Sequence, residues 1–330
     1  MTAVTVAGKV AIFAVFCAAA LSAQEPPPPE KPKPVAPTIR LAFGRLKPDS
    51  TFEIGGDRVL ASGDGGVWVS SRQSGTVTKI DAKTNKPAEP IAVGKEPCAG
   101  LATGFGSLLV PICGAPGLAR VDLKTSEVKV IAKGVTAAMV GPVTAVSSIW
   151  IVGDARGTLT RIDPDSNAVI AEMPLGAKAL ALAFGQSALW VATDNNELLK
   201  ISPYTIVTSE IIKVGKSPRS IAFGEGAVWT LNAGDGTVSR IDPKTNKVAN
   251  TIKLGVPVAG GQIAVGEGSV WVSAPGLPLS RIDPRTNHIV QQFTGEGGGA
   301  VVISQGALWI TATPKAIWRL DPKLVEATRQ

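Results

Sequence analysis

A tryptophan recurs along this chain at nearly even steps, and no other feature restricts the fold as tightly. Trp68, Trp150, Trp190, Trp229, Trp271 and Trp309 each follow a short turn and an apolar residue. The gap between Trp68 and Trp150 is double, and Leu109 in "GFGSLLVP" holds the missing slot. The seven copies lie 38 to 42 residues apart. A second landmark repeats in step: Asp81, Asp122, Asp163, Ser202, Asp242, Asp283 and Asp321, most of them in Ile-Asp-Pro or a close variant. Ser202, in "KISPYT", is the exception. Two independent landmarks with one period define an internal repeat.

Each period divides into four short runs. In one copy these are "RSIAFG" (219–224), "AVWTLN" (227–232), "TVSRID" (237–242) and "KVANTIKLG" (247–255). Val, Ile, Thr and Trp are frequent and helical spacing is absent, so the runs are predicted strands. "AGDG" (233–236) supplies the left-handed positions of a tight hairpin. In "DPKTN" (242–246) Pro pre-sets φ and Asn tolerates the left-handed region.

Four antiparallel strands in about 40 residues are the signature of a propeller blade. The predicted fold is all-β: a seven-bladed β-propeller with four antiparallel strands per blade, filling residues 51–330. A lone blade cannot bury both faces, so the recurring Trp is read as a wedge between neighbours. Trp318 is off-register and expected to pack within the last blade; Tyr204 is expected at the surface. The sequence ends at "RLDPKLVEATRQ", which leaves little for an outer strand of the last blade. "TIRLAFG" (38–44) resembles the outer strand "TIKLGVP" (251–257), so 38–44 is expected to supply that strand and close the ring. The alternative is that 324–329 does so alone.

Residues 1–23 carry a single charge, Lys9, and an apolar run over 10–23 ending in small residues. This reads as a signal peptide, with an uncleaved anchor as the alternative because Leu21 is a poor cleavage-site residue. The Pro-rich stretch at 24–37 reads as a semi-extended linker, and 38–330 as the propeller. The implied location is periplasmic or secreted. Net charge is +7, but the cations are scattered through turns and the chain has eight Phe and one Tyr. Stacking platforms for nucleic acid are therefore scarce, and nucleic acid is not an expected partner. Membrane contact is expected only through an uncleaved anchor, and the ring is expected to be a monomer.

Cys98 and Cys113 fall at the start of one predicted strand and the end of its antiparallel neighbour. Opposed residues there come close enough for a disulfide, which an exported protein can form. Two free buried thiols are the alternative.

Features shared by all copies serve the scaffold, so function is sought in copy-specific loops at one end of the channel. There the candidate ligand-binding rim is Asp57, Arg58, Arg72, Asp154, Arg156, Asn195, Glu197, Arg219, Asn232, Asp235 and Gln262. A mixed Arg/Asp rim suits a small polar ligand, a peptide or an envelope protein. "GKS" (215–217) lacks the first glycine of a phosphate loop. "DPDSN" (163–167) is the repeated turn, not a calcium loop. "GEGGG" (295–299) reads as a flexible loop. His288, the sole histidine, lies in the turn at the opposite end, so no Ser-His or His-metal constellation can be assembled.

The tetrads "WVSS" (68–71), "WTLN" (229–232), "WVSA" (271–274) and "WITA" (309–312), with "GTVSRIDPKTN" (236–246), resemble the YVTN-type seven-bladed propellers and the streptogramin (virginiamycin B) lyase-like superfamily, often exported in bacteria. Activity in that superfamily, so far as the resemblance implies it, is C–O lysis that opens a cyclic depsipeptide with two histidines, a glutamate and magnesium at the channel mouth. The slots matching those histidines hold Glu96 and Ser217. The slots matching the glutamate hold Ser71, Ile112, Gly153, Thr193, Asn232, Ala274 and Ala312. No catalytic residue carries over. The expectation is an exported, non-catalytic binding or interaction module without a cofactor. The alternative is a divergent lyase or metal-dependent hydrolase, with Ca²⁺ or Mg²⁺ held by Asp57, Asp154, Glu197 and Asp235.

Overall fold

The computed structural model describes residues 1–2, 38–54, 58–115, 117–133, 140–153, 156–256 and 258–328, with Arg58 described by its backbone only. The signal peptide and linker expected at 1–23 and 24–37 lie outside these residues, apart from 1–2. Val35–Gln330 forms one compact unit.

The unit contains seven sheets, each built on an antiparallel run of consecutive strands, and two of them gain a strand from the N-terminal segment. Blade 1 is built from Arg58–Gly63, Gly66–Ser71 and Thr76–Asp81, with Lys86–Pro87 and Ile91–Ala92 sharing its outer position. Blade 2 spans Ala102–Gly104 to Val128–Ile131, and blade 3 spans Val143–Ala145 to Val169–Pro174. Blades 4, 5 and 6 begin at Ala179–Gly185, Pro218–Gly224 and Gln262–Gly266. Blade 7 holds Val301–Ser304, Ala307–Thr313 and Ala316–Leu320. The first strands of successive blades touch in order, and that of blade 7 touches that of blade 1, so the ring closes.

The N-terminal segment closes the ring with two strands. Ile39–Ala42 joins a C-terminal sheet as expected, but it is the sheet of blade 6, where it pairs in parallel with His288–Thr294 as a fifth, outermost strand. The outer strand of blade 7 is instead Ser50–Glu53, antiparallel to Ala316–Leu320. Between them Phe43 stacks on Trp318 at 4.8 Å, and Phe43 and Leu46 are buried. Among the described residues the C-terminal end adds no strand: Pro322–Ala327 is a short helix capped by Asp321. Deleting 38–44 is expected to lower Tm by roughly 5–10 °C, from the lost burial of Phe43 and its neighbours. The ring should stay folded, because blade 7 keeps its fourth strand. Calorimetry checks this, and an unchanged Tm would show that the parallel strand contributes nothing.

The wedge assignment holds. Trp150, Trp190, Trp229, Trp271 and Trp309 are fully buried, as is Leu109 in the deviant copy. Each packs against the next blade: Trp229 clusters with Ile263, Val270 and Val272, and Trp309 with Leu60, Val67 and Val69. Tyr204 is exposed.

Polar contacts repeat as regularly. In the turn after the third strand, Asp122 Oδ1 accepts from the amides of Lys124 and Thr125 at 2.8 and 2.9 Å. Those amides, Thr125 first, hold its carboxyl below the usual carboxylate range. Two residues earlier every copy has a cation: Lys79, Arg120, Arg161, Lys200, Arg240, Arg281 and Arg319. Several stack on the blade's own tryptophan, such as Arg240 over Trp229 at 5.5 Å. Three of the cations also reach the following blade. Arg240 Nη1 donates to Pro284 O (3.1 Å) and Asn287 Oδ1 (3.0 Å). Lys200 Nζ donates to Pro243 O (3.3 Å) and Asn246 Oδ1 (2.8 Å). Arg120 does the same with Pro164 and Asn167. One residue thus covers an indole and latches two blades together.

Candidate functional site

At the end of the ring carrying the second-to-third hairpins lies a bowl of about 1690 Å³. It sits off-centre, over blades 6, 7 and 1. Its charged lining is Glu53, Arg72, Glu96, Glu296 and Lys315. Most of the remainder is Gly, Ala, Pro, Thr and Gln, with no aromatic, Leu, Ile, Val or Met side chain among the lining residues.

The wall is backbone because side chains do not fit. A Cβ on Gly297 would lie 1.9 Å from Ala312 O, and one on Gly261 would lie 2.3 Å from Ser273 O; both glycines also have φ of +108°. "GEGGG" is therefore not merely a loose loop. Gly298 N donates to Thr311 O at 3.0 Å and Gly299 N to Ser273 Oγ at 3.0 Å, so the segment is tied to blades 7 and 6.

Arg72 and Gln262 are the two candidate rim residues that line the bowl. Arg72 Nη2 meets Glu96 Oε2 at 3.0 Å, across the joint between blades 1 and 2. Both side chains are about half exposed, so the pair orients groups more than it stabilises. Gln262 Oε1 accepts from Val301 N at 3.1 Å and ties blade 6 to blade 7.

The other candidates lie elsewhere. Asn232 is fully buried: its amide donates to Thr237 Oγ1 (3.0 Å) and Ser239 Oγ (2.8 Å) and accepts from Thr230 Oγ1 (3.0 Å). Asp235 accepts from Lys216 N at 2.9 Å and Thr237 Oγ1 at 2.7 Å. A Cβ on Gly215 would fall 2.5 Å from Asn232 Nδ2 and 2.7 Å from Asp235 Oδ2, which explains the glycine of "GKS". Glu197 pairs with Lys213 at 2.6 Å, and Arg219 Nε donates to Ser217 Oγ at 3.1 Å. Asn195 and Arg156 are exposed. Asp57, Asp154 and the Arg58 side chain lie outside the described residues.

Cys98 and Cys113 form a disulfide, with Cα atoms 5.8 Å apart. Cys113 N donates to Glu96 O at 3.0 Å and Gly114 N to Lys95 O at 3.2 Å, so the bond fixes the loop that presents Glu96 to the bowl. Glu96 and Ser217 occupy matching sites: each has a left-handed φ (+53° and +52°) and precedes a proline. Glu96 is salt-bridged to Arg72, and Ser217 accepts from Arg219. Among the described residues no three His, Cys, Asp or Glu side chains are grouped to hold a metal ion. His288 Nδ1 lies 2.6 Å from Thr286 O in its own turn.

Sequence reasoning missed Glu53, Glu296 and Lys315. Glu53 belongs to a strand that the repeat did not assign, and Glu296 lay inside a loop read as featureless. Lys315 sits in the blade 7 hairpin "TPKA", a departure from its sister hairpins that a comparison of copies displays.

The fold and mouth define a seven-bladed β-propeller with a polar, backbone-walled bowl. No family model matches the chain, and no curated protein matches it. Solved structures do. A catalytically inactive variant of virginiamycin B lyase from Staphylococcus aureus, with quinupristin, is 17% identical with a TM-score of 0.69, covering 82% of this chain and 98% of that one. The Pan2 WD40 domain of Neurospora crassa is 12% identical (TM-score 0.64; 81% and 90% covered). BamB from Moraxella catarrhalis is 14% identical (TM-score 0.63; 83% and 100% covered). At these identities the likeness shows the fold alone. No described helix is long and apolar enough to cross a membrane.

Proposed function

We propose that this protein is an exported, non-catalytic binding module that takes an extended polar peptide segment, of a peptide or an envelope protein, in the bowl. The observation that carries this reading is the bowl's size together with its lining. Small-molecule sites measure about 300–1,000 Å³ and are lined mainly by apolar and aromatic side chains. This bowl is larger and offers main chain and charge instead. Such a wall suits a peptide backbone, with Arg72, Glu96, Glu296 and Lys315 setting its orientation. The disulfide supports an oxidising compartment, and hence export. The unlike neighbours in fold, a lyase, a WD40 domain and BamB, leave the reading to rest on the bowl.

Fluorescence anisotropy with labelled unstructured decapeptides of acidic, basic and neutral composition tests it. At least one class should bind in the micromolar range. Ala259→Trp, at an exposed lining position, should weaken that binding at least tenfold without altering Tm. Binding indifferent to that substitution, or turnover of a bound peptide, would replace the proposal with another site or with an enzyme.

A further inference from the structure

The joints between blades are not equal. Four of them have both a latch cation on one blade and an Asn in the turn of the next: blades 2 to 3, 4 to 5, 5 to 6 and 7 to 1. Three make the latch, through Asn167, Asn246 and Asn287. At the fourth, Arg319 Nη1 turns to Asp49 Oδ2 at 2.9 Å, on the segment leading into Ser50–Glu53. Asn85 Oδ1 is left buried without a partner. Arg319 Nε is also unpartnered. In blades 2, 3 and 6 the equivalent Nε donates to Ser107, Ser148 or Ser269 at 2.8 Å, and the blade 7 slot holds Ala307. Trp309 Nε1 is unpartnered too, although Trp150, Trp190, Trp229 and Trp271 each donate to a carbonyl five residues earlier. Three of the six unpartnered buried side-chain atoms among the described residues thus belong to one joint. Such atoms are uncommon in folded proteins and are destabilising. Besides the chain itself, which passes from Ser50–Glu53 of blade 7 to Arg58–Gly63 of blade 1, the described residues place the apolar cluster around Trp309 and a bond from Ser304 Oγ to Gly66 O at 3.1 Å across the joint.

We infer that the ring opens at the joint between blades 7 and 1, with Arg319 as its two-position latch. Bonded to Asp49, the guanidinium holds the N-terminal closing segment; swung to Asn85, it holds blade 1. Held toward Asp49, the guanidinium does not reach Asn85, so unlike its counterparts it leaves the next blade's Asn without a partner. The bowl lies above this joint, and its lining comes from blade 7 (Glu53, Lys315) and blade 1 (Arg72, Gln73). An occupant therefore bridges the joint and favours the closed ring, the state in which the bowl is complete. This last step rests on the peptide-binding reading; the weakness of the joint does not.

Hydrogen exchange on the full chain tests the inference, comparing equivalent third strands. Amides of Ala316–Leu320 should exchange at least tenfold faster than those of Thr237–Asp242. Ala307→Ser, which restores the hydroxyl present in blades 2, 3 and 6, should slow blade 7 exchange severalfold and leave blade 5 unchanged. Asp49→Asn should release Arg319 to Asn85, speeding exchange of Ser50–Glu53 while slowing that of Gly66–Ser71. Equal rates in blades 5 and 7, or no response to Ala307→Ser, would overturn the weak joint. A decapeptide that binds at the bowl should slow blade 7 exchange; binding without that effect would overturn the coupling. Failure of every peptide to bind would remove the proposed function while leaving the rate difference between the strands to be observed.

Discussion

Trp229→Ala is expected to cost about 3–5 kcal/mol of folding free energy. The indole is fully buried between blades 5 and 6, against Ile263, Val270 and Val272. Its Nε1 donates to Gly224 O at 3.1 Å, and its face carries Arg240. Alanine removes the wedge, strands that carbonyl and leaves the guanidinium without its π surface. Neighbouring strands are held by their own ladders and cannot collapse into the gap, so the cavity term persists. Against a total stability of about 5–15 kcal/mol this is a large fraction. Urea denaturation measures it. Trp318→Ala is the control: its indole is partly exposed and stacks on one ring, so its cost should be clearly smaller. Equal effects would mean that the periodic tryptophans are not the principal seams.

The second large effect is expected from the Cys98→Ser/Cys113→Ser double variant, at about 3 kcal/mol for a closed loop of this size. The two cysteines are 15 residues apart. Blade 2 is the copy in which Leu109 replaces the tryptophan, and leucine fills less of the seam. The covalent link therefore stabilises the blade with the least apolar wedge. The loss should appear in urea as a lower midpoint with a nearly unchanged slope, and reductant should reproduce it in the native protein. The variant should also weaken binding in the bowl, since the bonded loop carries Glu96 to Arg72. A variant with native stability would show that the loop is already ordered by the Glu96 O and Lys95 O hydrogen bonds.

The inter-blade latch shows what was legible and overlooked. A Lys or Arg precedes every Asp landmark by two residues, as plain in the sequence as the tryptophans. A cation at a turn reads as solvated, however, and only the neighbouring blade supplies its acceptors. Asn232 shows the opposite error. It is unique among its sister positions, as a functional residue would be, yet it faces inward to three hydroxyls. Uniqueness in a repeat also arises where one blade solves its own packing differently.

The repeat alone determined the number of blades, the strand order within each, the buried tryptophans and the cysteine pair. All of these depend on local periodicity and on contacts between sequence neighbours. Tertiary structure alone decided which sheet Ile39–Ala42 joins, that Ser50–Glu53 completes blade 7, and that Glu53, Glu296 and Lys315 share a bowl with Arg72. Those residues lie far apart in the chain and follow no common pattern. They meet only because seven similar sheets close into a ring, and closure is a property of the whole circle that no single period encodes.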